Sequence, residues 1–127
     1  MFKRVEHVEI VSSDMKRTLN FYSEILGFDV QTRRTINAPP TEEIAFIELG
    51  GTLVEVFAIK EPAAVSNETW QVGCRRIALE VDDMDAAIAY LTDKGVQPSM
   101  ATVNTETSAM SEIKDPDGIP IQLIQRK

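Results

Sequence analysis

The chain has 127 residues, 43% of them hydrophobic, which suffices to bury a core and lies outside the range of disordered chains. Its formal net charge of −7 argues against a nucleic-acid or anionic-membrane partner, while leaving room for a local basic spot inside a cleft. A single cysteine, Cys74, excludes an intrachain disulfide, and no leader-like start or apolar run of about 18 residues stands out, so a cytoplasmic protein is expected.

Val5 to Val11 alternates, with Val8 and Ile10 on one face and Val5, His7, Glu9 and Val11 on the other. Asp14 is placed to cap a helix by accepting from its free N–H groups. Met15, Leu19, Tyr22 and Leu26 recur at helical spacing as a stripe for a sheet face, and Gly27 is the expected left-handed stop. Phe28 to Arg34 reads as a second strand and Asn37 to Thr41, with two prolines, as a loop. Ile44 to Leu49 and Leu53 to Ile59 form a hairpin around Gly50-Gly51. The first module, 1–60, is therefore β-α-β-β-β.

Residues 61–73 break both periods through Pro62, Ser66, Asn67 and Gly73, and read as a connector. Trp70 within it is expected as a packing anchor.

The second module, 74–127, repeats the order. Cys74 to Val81 alternates, with Ile77, Leu79 and Val81 opposite Arg76, Ala78 and Glu80. Asp83 caps a helix with the stripe Met84, Ala87, Ile88 and Leu91. Gln97 to Val103 and Ser108 to Lys114 read as strands, Asp115-Pro-Asp-Gly118 as a turn, and Pro120 to Gln125 as the last strand. Laid on the first module, Arg76 falls on His7, Asp83 on Asp14, Met84 on Met15, and Gly95 on Gly27 after one gap. Gly118 falls on Gly51 and Gln122 on Glu55. The face away from each helix is polar: His7, Glu9 and Glu55 in one copy, Arg76, Glu80 and Gln122 in the other. Two such sheets curling together would enclose a cavity, within a single domain spanning 1–127.

Three motifs carry a family resemblance. They are His7 seven residues before Asp14 with a helix ending NFYSEILGF, RIALEVDDMDAAIAYLTDKGV from Arg76, and KDPDGIPIQLIQ from Lys114. On them the chain resembles the vicinal oxygen chelate superfamily, which spans glyoxalase I, bleomycin-resistance proteins and extradiol dioxygenases. The resemblance implies an α+β fold of two tandem β-α-β-β-β modules in a half-open curved sheet around a cavity. It also implies a divalent metal (Zn, Ni, Co, Mn or Fe) with one ligand from the first and last strand of each module. Those positions are His7, Glu55, Arg76 and Gln122.

His7, Glu55 and Gln122 offer suitable donors. Arg76 has no acceptor and stays protonated. At ~4 Å and an effective dielectric of ~20, two like unit charges repel by about 4 kcal/mol, and a divalent ion by twice that. The expected metal site is weakened, or absent.

Each residue also has a plainer reading. His7 is the single histidine and could be a satisfied rim group; Glu55 could pair with Arg76; Gln122 could bond only to neighbours. Arg76 would favour an anionic substrate, carboxylate or phosphate, or serve as partner to Glu55, Glu9 or Glu80. The segment from Glu42, EEIAFIELG, is similar to methylmalonyl-CoA epimerases, where an acidic residue moves a proton at carbon; Glu43 takes that position, or is solvated edge. Cys74 is expected as a small buried thiol.

The resemblance thus implies a glyoxalase-like small-molecule enzyme of lyase or isomerase type, with enediolate chemistry on an anionic oxygenated substrate and Glu55 or Glu43 as base. The alternative is a metal-free binding protein of the bleomycin-resistance type. A third reading uses Arg76 as electrophile in place of the ion. A homodimer is expected in each case, with no nucleic-acid or membrane partner.

Overall fold

Each β-α-β-β-β run folds into its own four-stranded sheet in the computed structural model, which describes Met1–Lys127. The chain divides into two units, Met1–Ala64 and Val65–Lys127. Neither sheet closes into a barrel, and no helix is long and apolar enough to cross a membrane.

In the first unit β1 (His7–Ser12) leads into α1 (Met15–Asn20), then β2 (Asp29–Ala38), β3 (Thr41–Leu49) and β4 (Thr52–Ile59). The sheet order is β1-β4-β3-β2, with β1 parallel to β4 and the other pairs antiparallel. The Asp14 side chain accepts from the Arg17 amide at 3.0 Å, as a helix cap requires. Ser12 and Thr18 hydroxyls bond at 2.6 Å beneath it and tie strand to helix. Met15, Leu19 and Tyr22 are buried, as are Ala45 and Ile47 across from Val56 and Val54. This is the core layer of the unit, and Glu55 and Phe46 lie on the face opposite to it.

The second unit runs β5 (Ile77–Glu80), α2 (Met84–Asp93), β6 (Met100–Asn104), β7 (Ser108–Lys114) and β8 (Pro120–Arg126), ordered β5-β8-β7-β6. Asp83 caps α2 through the Ala86 amide at 2.9 Å. Met84 and Leu91 are buried with Ile113, Ile121 and Leu123.

Five expectations change. The first helix ends as a π turn, Phe21–Ile25, with the Leu26 amide donating to the Phe21 carbonyl. The Ser23 hydroxyl donates to the Leu19 carbonyl at 2.6 Å, a back-bond that distorts helices. Phe21, absent from the expected stripe, is buried as a result. The loop at 37–41 shrinks to Pro39-Pro40, because β2 and β3 stay paired out to Ala38 and Thr41. Strand β5 begins at Ile77 rather than Cys74. Its parallel ladder with β8 starts at Ile121, and the preceding Pro120 has no N–H to extend it. Finally, Cys74 is exposed instead of buried, and Trp70 is 82% exposed instead of a core anchor. The Trp70 ring carries the Arg75 guanidinium 4.4 Å from its centroid.

Candidate functional site

The parallel register of β1 on β4 sets Glu9 beside Glu55, and His7, two residues earlier, on the same face. His7 Nε2 lies 3.1 Å from Glu55 Oε2 and 3.4 Å from Glu9 Oε1. The other ring nitrogen, Nδ1, bonds to the Glu6 carboxylate. Phe46, opposite Glu55 on β3, meets the imidazole edge-on with centroids 5.6 Å apart. An edge contact of this kind fixes the ring plane. The bond to Glu6 holds the imidazole above its ordinary pKa; burial opposes the rise, and Glu9 and Glu55 add to it. The Glu55 side chain is the most sheltered of the three, at 12% exposed.

These three side chains could together hold a divalent cation. The donor atoms of His7, Glu9 and Glu55 all lie within 4.8 Å of one another. Ligands about 2.1 Å from one ion stand ~3.0 Å apart in octahedral and ~3.4 Å apart in tetrahedral geometry. The two measured separations from Nε2 fall in that interval. A neutral imidazole with two carboxylates also balances a divalent charge, and the mixed N/O set suits the transition metals expected above. Glu9 thus stands beside His7 and Glu55 as a third residue that could hold the ion. The period-two spacing of His7 and Glu9 was the available signal for it.

Arg76 and Gln122 belong to the second unit. Gln122 sits on β8 between Ala78 of β5 and Glu112 of β7. Arg76, two residues before Ala78, donates through Nη1 to Glu112 Oε2. The second oxygen of Glu112 accepts from Ser99 Oγ at 2.8 Å. Both charged side chains are largely sheltered, at 14% and 15% exposed. Burial pushes the Glu112 carboxyl up, but the bonds from Ser99 and Arg76 outweigh it and leave the group below its ordinary pKa.

Each unit thus carries an ion pair of its own: Glu55 faces His7 in the first, and Arg76 faces Glu112 in the second. Glu112 was missed in the sequence. With Glu112 as counter-ion in the same unit, the Arg76 guanidinium is not an unpaired cation.

Glu43 is not brought to the His7 group. It follows the alternation of Ala45 and Ile47, on the opposite face from Glu55. There it accepts from Arg33 Nε at 2.8 Å.

Residues 4–123 match the family described as the Glyoxalase/Bleomycin resistance protein/Dioxygenase superfamily. The chain is 30% identical to the uncharacterized protein YaeR of Escherichia coli (strain K12), over 98% of this chain and 97% of that one. It is 27% identical to the lactoylglutathione lyase of Escherichia coli O157:H7, over 98% and 93%. The solved structure of the glyoxalase family protein from Enterococcus faecalis superposes with a TM-score of 0.83 at 28% identity, covering 97% of this chain and 98% of that one.

Proposed function

This chain belongs to the Glyoxalase/Bleomycin resistance protein/Dioxygenase superfamily, and from that premise we propose a glyoxalase-like small-molecule enzyme of lyase or isomerase type. Its substrate is an anionic compound with oxygens on neighbouring carbons. The observation that carries this reading is the convergence of His7, Glu9 and Glu55 at ligand spacing. A divalent ion held by these three would supply Lewis acidity toward the substrate oxygens.

The chain's own residues do the rest. Glu55 turns one carboxylate oxygen to His7 and is sheltered from water. Its carboxylate takes the proton from the carbon next to the substrate carbonyl. The C–H electron pair moves to the carbonyl oxygen, giving an enediolate, and the proton is returned to the neighbouring carbon. Glu6 holds the far side of the His7 ring and Phe46 its edge, so that Nε2 stays aimed at the site. In this reading Glu55 is the base, and Glu43 is a structural partner of Arg33. In the second unit, Arg76 is the proposed substrate contact. The protein is expected to work as a homodimer.

The test uses lactoylglutathione, the substrate in the name of the relatives, in heavy water with and without added Zn, Ni or Mn. Metal-dependent loss of the thioester, or deuterium entering at the hydroxyl-bearing carbon, is expected and should vanish in Glu55→Gln. Neither signal with any of these ions would remove this enzyme assignment.

A second reading rests on His7 itself. Protonated, the imidazole has a carboxylate at each nitrogen and is satisfied without an ion. That supports a metal-free binding protein. Titration calorimetry separates the two: no heat with any of these divalent ions at high micromolar concentration selects the binding protein.

A further inference from the structure

The second unit contains a pocket of about 420 Å³, bounded by the connector on one side and the near ends of β7 and β8 on the other. All of its lining residues lie between Val65 and Pro120, and no member of the His7 group is among them. Its volume is within the ~300–1,000 Å³ usual for small-molecule sites. The connector is seated closely here: a Cβ on Gly118 would stand 3.2 Å from Val65 Cγ1.

The charge of this pocket runs against that of the chain. Arg75, Arg76 and Lys114 line it together with two carboxylates, Glu68 and Glu112. Both oxygens of Glu112 are engaged, by Arg76 and Ser99. The wall is thus net cationic in a protein of formal charge −7. The cations are also organised. Arg76 is fixed by Glu112, and Arg75 is stacked on Trp70, which explains an otherwise isolated exposed tryptophan. Lys114 reaches in from the exposed end of β7. The remaining wall mixes hydroxyl and amide groups, from Ser66, Asn67 and Gln71, with the hydrocarbon of Val65, Val72 and Pro120.

We propose that this pocket binds the anionic end, carboxylate or phosphate, of a small polar organic molecule, with Arg75 and Lys114 as its direct charge contacts. Arg76 serves as a planar donor held in place by Glu112. The proposal goes beyond the reading above, since this anion site is built entirely within the second unit. It rests on that reading only for the identity of the molecule, since binding here needs no metal and no turnover.

The experiment is amide NMR on the full chain, titrated with inorganic phosphate, with succinate, and with succinamide as the uncharged control. Saturable shifts at Gly73 to Arg76 and Gly118 are expected with at least one anion and not with succinamide. The stronger anion identifies the headgroup class. Lys114→Gln and Arg75→Gln, both surface changes, should each weaken binding about tenfold, whereas His7→Ala should leave it unchanged. Equal response to succinamide, no saturable shift with either anion, or affinity indifferent to both substitutions would each overturn the proposal. Because His7→Ala abolishes the proposed enzyme but not this binding, the two can fail separately.

Discussion

Glu112 holds in the second sheet the place that Phe46 holds in the first. Phe46 lies across from Glu55 and sets its ring edge against His7; Glu112 lies across from Gln122 and bonds to Arg76. One register thus supports an aromatic contact in one copy and an ion pair in the other. The change from histidine to arginine at the repeat position is matched by a change in the residue that braces it.

Removing one partner of that brace leaves a sheltered charge unanswered. Glu112→Gln should lower unfolding stability by about 1–3 kcal/mol. Paired with Arg76→Gln in a double-mutant cycle by urea denaturation, the losses should be strongly non-additive. Additive losses would show that the two side chains do not depend on each other.

The same carboxyl gives a pH dependence. Its folded pKa lies below the ordinary 4.5, so folding is favoured by its ionisation. That contribution is complete above the unfolded pKa of 4.5 and is lost as pH falls through the lower folded value. Stability of the native protein should therefore drop more steeply below pH 4.5 than that of Glu112→Gln. Parallel pH profiles for the two proteins would be the contrary result.

Divalent binding should follow the three-residue group. His7→Ala is expected to abolish it. Glu9→Gln should weaken it by at least about tenfold, since even outer-sphere partners of a metal cost that much. Elemental analysis of protein purified without an affinity tag, followed by calorimetric titration, reads both. Full affinity in Glu9→Gln would return the site to His7 and Glu55 with some other third ligand.

Two glycines allow a controlled comparison. Gly27 (φ +83°) and Gly118 (φ +86°) share a backbone conformation costly for other residues, but only Gly118 faces a neighbour within 4 Å. Both alanine variants should lose about 1–2 kcal/mol to backbone strain. Gly118→Ala should lose more, because Val65 must also move. Calorimetric unfolding that ranks them equally would mean the connector yields freely at Val65.

Much of the scaffold was legible because its signals are local. Asp14 and Asp83 precede apolar stripes, and both accept the predicted capping bonds. Gly50-Gly51 and Asp115 to Gly118 set their hairpins. The polar faces followed from alternation, and so, in principle, did the placement of Glu43, which shares parity with Ala45 and Ile47. Glu112 was also within reach: with Lys114 opposite Pro120 across the turn, counting back two residues places Glu112 opposite Gln122. What alternation cannot supply is choice among partners. Arg76 had three carboxylates proposed for it, and the one it takes is two strands away through a hairpin register. The exposed Trp70 was illegible for a different reason, because its partner Arg75 offers a cation rather than a core.

The π turn at Phe21–Ile25 also accounts for the single gap needed to align the two halves. From capping aspartate to terminal glycine the first half has one residue more than the second, and α2 contains no π turn. An extra residue in a helix must either rotate everything after it by about 100° or be absorbed by one wider turn. The wide turn is what the fold shows, so Gly27 and the strand beyond it keep their places. The asymmetry between the halves is thus an insertion confined to one turn of helix, and the sheet that carries His7, Glu9 and Glu55 is insulated from it.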